Sequence, residues 1–415
     1  MNADLIVYNI GQLVTGRELS LKDGESSMEN IEILENGYIA ISGNEIMAFG
    51  AGEVPSKLVK FTTKLLDAEG CVVTPGLIDS HTHLVHGGSR ENEFLDKIQG
   101  VPYLDILERG GGILSTVKAT REATEDELLD KAKKTLRTML SLGVTTVESK
   151  SGYGLDSETE LKQLKVNERL NHEQEIEIVS TFMGAHAVPK EYENNREEFI
   201  KKMLDLLPII KERKLAEFFD VFCEKGVFTT EESKKMFKEA KKYGLKLRIH
   251  ADEIENTKGA ELAKELHMYS ADHLMAISDE GIKALKNSKV IANLLPGTSF
   301  SLGKEYAPAR KMIDNGVQVA LSTDYNPGSC PTENLQLIMQ IAALKLKMRP
   351  KEIFKAVTLN AARSIGREKK IGSIEEGKKA DFVIFDAKNI EYILYRFGVN
   401  HTKQVFKNGC LVYKK

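Results

Sequence analysis

The feature that most constrains this fold is an alternation: eight short apolar runs, each followed by a charged segment whose apolar residues recur at helical spacing. The runs are CVVTPGLID, GVTTVESK, EIVSTFMGAH, FFDVFCE, LKLRIHADE, YSADHL, KVIANLLP and VQVALSTD, spread between Cys71 and Asp324. Between them lie segments such as DELLDKAKKTLRTMLSLG (126–143), REEFIKKMLDLLPIIKERK (196–214), EESKKMFKEAKKYG (231–244) and APARKMIDNG (307–316), several of them ending in Gly. Strand and helix in repetition demand parallel strands joined by crossover helices, and eight such units are the number that closes a barrel. An α/β chain with a (β/α)8 TIM barrel is therefore expected, with a doubly wound open sheet as the alternative.

The two ends have another texture. Short alternating runs with Asn-Gly and Glu-Gly turns fill DLIVYNI, IEILENGYIAISGNEIMAFG and KLLDAEG at the start, and IGSIEEGKKADFVIFDA and KQVFKNGCLVYKK at the finish. This pattern predicts a small β-sandwich domain built from both chain ends. The expected division is 1–70 and 366–415 for that domain and 71–365 for the barrel. A chain of 415 residues is long enough for both. A net charge of -3 gives no reason to expect nucleic acid or an anionic membrane as partner. The expected partner is a small-molecule substrate, and a homodimer is left open. The four cysteines, Cys71, Cys223, Cys330 and Cys410, lie far apart without CxxC spacing, which suits reduced core or near-core thiols in a cytoplasmic protein. MNADLIVYNIG lacks the basic and apolar segments of a secretory leader, and no apolar run reaches membrane-spanning length.

In such barrels the chemistry sits at the C-terminal ends of the strands. His81, His83, His186, His250 and His273 all fall at or just past the ends of runs, with His86 slightly beyond the first, and Asp324 ends the eighth. His172, His267 and His401 lie elsewhere and read as surface or packing residues. On a strand, His81 and His83 share a face with Cα atoms roughly 6.5–7 Å apart, close enough for both rings to meet one ion. Two surface histidines on a loop are the alternative. His81, His83, His250 and Asp324 would make a nitrogen-rich site with one carboxylate, suited to zinc or iron. A divalent ion there lowers the pKa of a water it holds and polarises a carbonyl, so hydrolysis is the expected reaction class. Asp324 would accept the water's proton, Glu253 in HADE would shuttle a proton to the leaving group, and His273 would hydrogen-bond the developing charge. For Asp324 alone, a helix N-cap or an Asx turn is the competing reading.

PGLIDSHTH, HADE, SADHL and STDYNPG, in this order and between two β-rich ends, resemble the amidohydrolase superfamily. HTHLVHGGSR, GGGILSTVKATR, TTVESKSGYGL, STFMGAHAVP, FFDVFCEKGVF and LLPGTSFSL extend the likeness over nearly the whole chain to the branch that opens 4-imidazolone-5-propanoate to N-formimidoyl-L-glutamate in histidine degradation. The resemblance implies His81, His83, His250 and Asp324 as ligands of one divalent or trivalent metal ion per chain, zinc or iron. It implies Arg90, Tyr153, His186, Glu253, Asn326, Gly328 and Ser329 as substrate-binding residues, and Glu253, His273 and Asp324 as catalytic ones. Arg90 offers a fork of donors for the propanoate. Lys150, ending the second run, is the nearest lysine to the bridging ligand of two-metal members. Two other readings share the motifs: an aminohydrolase of a nucleobase-like heterocycle, and a non-catalytic barrel scaffold.

Overall fold

The computed structural model describes residues 2–19, 27–101 and 109–415. Five strands come first: β1 Leu5–Val14, β2 Ile33–Ser42, β3 Glu45–Ala51, β4 Lys64–Asp67 and β5 Val72–Pro75. The barrel strands follow as β6 Leu77–Thr82, β7 Val144–Lys150, β8 Glu177–Ala185, β9 Phe218–Cys223, β10 Lys246–Ala251, β11 Ser270–His273, β12 Ile291–Leu294 and β13 Val319–Leu321. The chain closes with β14 Phe382–Phe385, β15 Thr402–Lys407 and β16 Cys410–Lys414. Strands β6 to β13 pair in sequence order, all parallel. The other eight form a mixed sheet in the order β16-β15-β14-β5-β1-β2-β3, with β4 also on β1, so both ends of the chain share one sheet.

The first run does not form one strand, as expected, but two. Val72–Pro75 pairs with β1 and β14 in the end sheet, and after Gly76 the same run turns into the barrel as β6. Val72–Pro75 therefore stands in the end sheet, and the first barrel strand begins after Gly76. The expected helix over 196–214 also divides, into Arg196–Leu204 and Leu207–Arg213. Pro208 explains the break: it has no N–H to donate and is tolerated only in the first turn of a helix. Cys71, Cys223 and Cys330 are buried free thiols, whereas Cys410 is exposed, outside the core position expected of it.

The helices around the barrel are set by caps and an apolar stripe. For Glu125–Ser141, Thr124 accepts from the Glu127 N–H at 3.2 Å while the Glu127 carboxylate accepts from the Thr124 N–H at 2.8 Å. That reciprocal pair satisfies two amides a helix start otherwise leaves unbonded. Leu128, Leu129, Ala132, Leu136 and Met139 of this helix recur at three- and four-residue steps and join the main core with Val144 and Val147 of β7. Thr229 and Glu232 cap Thr230–Lys242 in the same way. Thr229→Ala is expected to cost about 1 kcal/mol in urea unfolding with an unchanged m value.

Barrel closure is what builds the site. Past the last strand, the Asp324 N–H donates to the His81 carbonyl at 3.1 Å, and the His83 N–H donates to the Tyr325 carbonyl at 2.9 Å. Below these, the Asp79 carboxylate accepts from the Thr323 N–H at 3.0 Å and hydroxyl at 2.6 Å, and the Ser80 and Ser322 hydroxyls lie 2.9 Å apart. Residues more than 240 positions apart are thereby stapled side by side at the mouth, the histidine pair of β6 against the aspartate after β13.

Candidate active site

His81, His83, His250, His273 and Asp324 are each 0–3% exposed and lie together at the C-terminal end of the barrel. The ligand-type atoms of His81, His83 and His250 fall within 4.8 Å of one another, and so do those of His81, His273 and Asp324. Asp324 Oδ1 is 3.4 Å from His81 Nε2 and 3.7 Å from His83 Nε2. Its backbone has φ 56, a left-handed conformation that aspartate adopts more readily than most residues. His186 stacks on His83 with ring centroids 4.9 Å apart, and Tyr153 sits 5.2 Å from His186 and 5.6 Å from His83.

Burial strips His81 and His83 of water and holds both well below the usual imidazole range, so each stays neutral and keeps a lone pair. Hydrogen bonds decide where two of those lone pairs point. His81 Nδ1 lies 2.7 Å from Asp272 Oδ2 and His250 Nδ1 lies 3.1 Å from Asp220 Oδ1, so each ring donates backwards and turns Nε2 into the cluster. Among the described residues, His81 Nε2 and His83 Nδ1 have no hydrogen-bond partner, although both are buried. A buried acceptor left without a donor costs free energy that coordination to a cation recovers. Three imidazoles and a carboxylate fit a divalent ion of the zinc or iron type, and the ligand atoms of His81, His83 and His250 lie close enough together to share one.

Asp272 and Asp220 are fixed in turn by a layer of buried charge one step down the barrel. Arg248 donates to Asp272 Oδ2 and to the Ser80 carbonyl, both at 2.7 Å, and lies 3.6 Å from Glu148 and 3.8 Å from Asp220. Lys150 Nζ lies 2.9 Å from both Glu148 Oε1 and Asp220 Oδ2. All five side chains are 0% exposed. Lys150 is thus an ion-pair partner of two carboxylates; converted to an anionic carbamate it would face both of them with like charge.

The remaining groups line the mouth. Burial pushes Glu253 up to about 8, with Asp324 and Glu224 adding like charge, and its Oε2 lies 3.5 Å from His273 Nε2. Burial also raises Asp324 to about 6, opposed first by the Thr298 hydroxyl, which donates to Oδ2 at 2.5 Å. His186 is driven down to about 3 by burial; its Nδ1 lies 2.9 Å from the Gly152 carbonyl, which leaves Nε2 as an acceptor. Arg90 is half-buried, and its Nε donates to the Thr116 hydroxyl at 2.8 Å. A Cβ on Gly328 would lie 2.3 Å from an Arg90 terminal nitrogen, so a side chain there would push the guanidinium from its present place. Asn326 Oδ1 accepts from the Gly328 and Ser329 N–H groups at 2.8 Å each, and its Nδ2 donates to the Asp324 carbonyl at 2.7 Å and the Ser329 hydroxyl at 2.8 Å. The Asx turn after β13 therefore belongs to Asn326 and not to Asp324, and the Asn326 amide has no bonding capacity to spare.

Several residues that organise the site escaped sequence reasoning. Asp272 stands inside the quoted SADHL and Asp220 inside FFDVFCE, where an acid in an apolar run was the available signal. Thr298, Thr116 and Arg248 carried none. His86 is buried with Nδ1 2.8 Å from the His83 carbonyl, His401 is buried, and His172 and His267 are exposed.

The amidohydrolase family model matches residues 72–412. The chain is 61% identical over 416 residues to an imidazolonepropionase of Fusobacterium nucleatum subsp. nucleatum, covering 100% of each chain. It is 55% identical to an imidazolonepropionase of Alkaliphilus metalliredigens, covering 100% of this chain and 99% of that one. Among solved structures, an adenosine deaminase from Xanthomonas campestris with bound zinc superposes with a TM-score of 0.73 at 17% identity, over 99% of this chain and 93% of that one, a likeness of fold alone. With eight parallel strands, a histidine-rich mouth and a family match over most of its length, the chain belongs to the amidohydrolase family.

Proposed function

We propose that this chain hydrolyses 4-imidazolone-5-propanoate, breaking a ring C–N bond of the cyclic amide to give N-formimidoyl-L-glutamate in histidine degradation. The observation that carries the reading is Arg90: a half-buried guanidinium at the mouth that, among the described residues, makes no ion pair and spends its Nε on Thr116. A half-buried cation with no carboxylate partner among the described residues suits an anion, and a carboxylate tail can pair with its fork in two hydrogen bonds. The full-length identity to curated imidazolonepropionases supports the same substrate. The site takes one metal ion per chain, zinc or iron, held by His81, His83, His250 and Asp324; Lys150, committed to its two carboxylates, is no bridging ligand. The protein works in the cytoplasm on this small molecule, with no part for nucleic acid or membrane. Among the described residues no helix is long and apolar enough to cross a bilayer.

When bound, the ion polarises the ring carbonyl and lowers the pKa of a water beside it. The protein's own groups do the rest. Arg90 fixes the propanoate, and Tyr153 and His186 bracket the ring, the His186 Nε2 lone pair accepting a ring N–H. Asp324 accepts the proton of the attacking water at its carboxylate, with His273 Nε2 hydrogen-bonded to the oxygen. Glu253, held neutral near pH 7 by burial, donates its proton to the ring nitrogen as the C–N bond parts, so one water is consumed and no ammonia leaves.

The test is to incubate the purified protein with 4-imidazolone-5-propanoate, follow loss of its ultraviolet absorbance and assay ammonia alongside. Loss without ammonia is expected; ammonia release would point to an aminohydrolase. Arg90→Met should raise KM with metal content unchanged, at a cost on the order of 2–4 kcal/mol in binding, as for loss of a buried charge-assisted pair. An unchanged KM in that variant removes Arg90 from the role given to it.

A further inference from the structure

Glu160 is 0% exposed, near the start of the helix Ser157–Glu173, and among the described residues it makes no ion pair. A buried carboxylate without a cation is costly unless donors surround it. Here they do: Glu160 accepts from the N–H of Gly152 at 3.0 Å, Gly154 at 2.8 Å and Leu155 at 2.9 Å, and from the Ser151 hydroxyl. Those amides belong to the loop SGYGL, which bends through φ +112 at Gly152 and φ +53 at Leu155, a conformation in which they find no strand partner. One turn on, Gln163 accepts from the Tyr153 N–H at 3.3 Å and donates to the Val85 carbonyl at 2.6 Å, tying the loop to the segment just after His83. On the loop's carbonyl side, His186 Nδ1 donates to Gly152 at 2.9 Å, and Arg121 donates to Gly154 at 2.8 Å and Leu155 at 3.3 Å.

We propose that Glu160 is a positioning residue for substrate recognition: by gripping three of the loop amides, those of Gly152, Gly154 and Leu155, it presents Tyr153 and His186 as a preformed wall of the substrate site. It touches no reacting atom. The inference rests on the reading above that Tyr153 and His186 contact the substrate, and it places the control of that contact one layer further out. A wall held in place before binding spares the substrate the cost of ordering it, so loosening the grip weakens binding and leaves bond cleavage nearly untouched.

Glu160→Gln keeps the size but turns an NH2 toward amide donors, which breaks the grip. In the metal-loaded enzyme with 4-imidazolone-5-propanoate, KM is expected to rise about tenfold with kcat within about threefold, the split that marks lost uniform binding. Metal per chain should stay unchanged, and hydrogen exchange in the peptide spanning residues 151–155 should accelerate. A lowered melting temperature with unchanged KM would show a purely structural carboxylate and overturn the proposal. Ser151→Ala, which removes one donor and leaves the carboxylate, covers the case in which Glu160→Gln does not fold: it should raise KM in the same direction by a smaller factor, and an unchanged KM overturns the proposal. Tyr153→Ala separates the two layers. If it leaves KM unaltered, the substrate role of Tyr153 fails and this inference with it; if it raises KM while the Glu160 and Ser151 variants do not, the inference alone fails.

Discussion

His81→Ala is expected to lose metal and activity together. His81 is the ring at the centre of the cluster: its Nδ1 is tied to Asp272 at 2.7 Å, its Nε2 stands 3.4 Å from Asp324, and its ring centroid lies 4.6 Å from that of His250 and 5.6 Å from that of His83. Alanine removes a ligand and also leaves Asp272 facing an empty space with Arg248 as its remaining partner. Metal content after reconstitution should fall from about one to under about one tenth per chain, and kcat/KM by on the order of a thousandfold or more, a loss of roughly 4 kcal/mol of transition-state stabilisation. Inductively coupled plasma analysis of the dialysed variant beside the rate measurement decides it. A variant that keeps a full equivalent of metal would place the ion elsewhere.

The second large effect is expected far from solvent. Arg248→Met should destabilise the fold by about 3–5 kcal/mol, because it leaves Glu148, Asp220 and Asp272 buried with Lys150 as the only cation among them. Burial works to lower the Arg248 guanidinium, but Asp272, Glu148 and Asp220 together hold it above its ordinary value, so it stays charged at any working pH. Its removal should also weaken metal binding by about ten- to a hundredfold, since Asp272 no longer fixes the His81 ring. Urea unfolding of the metal-free protein isolates the first effect and chelator competition the second. A loss under about 1 kcal/mol would mean that the five charges are worth no more to the fold than a surface network.

The barrel was legible because its signal is periodic: parallel strands buried on both faces read as apolar runs, and crossover helices as stripes of period 3.6. The site residues were legible for a different reason. Histidines and a terminal aspartate sort to strand ends only where the fold gathers them, and the hydrogen bonds from Asp324 to His81 and from His83 to Tyr325 are the closure that gathers them. What stayed hidden lay inside the barrel. Lys150 and Glu148 in GVTTVESK read as the polar end of a strand, yet both are fully buried and bonded to each other at 2.9 Å. Hydrophobic patterning cannot tell an inward-facing charge from an exposed one when its partners, Asp220 and Arg248, stand dozens of residues away. The split of the first run at Gly76 was hidden likewise, since Val72–Pro75 and Leu77–Thr82 are both buried and differ only in which sheet they join.

The central claim, that three imidazoles and an aspartate converge on one cation, is tested most directly by a crystal structure of the metal-loaded protein with anomalous data collected at the metal edge. One peak per chain is expected, about 2.0–2.2 Å from a ring nitrogen of His81, His83 and His250 and from a carboxylate oxygen of Asp324. A peak that leaves Asp324 more than about 4 Å away, beyond any direct bond, or that is centred on other residues, would contradict it.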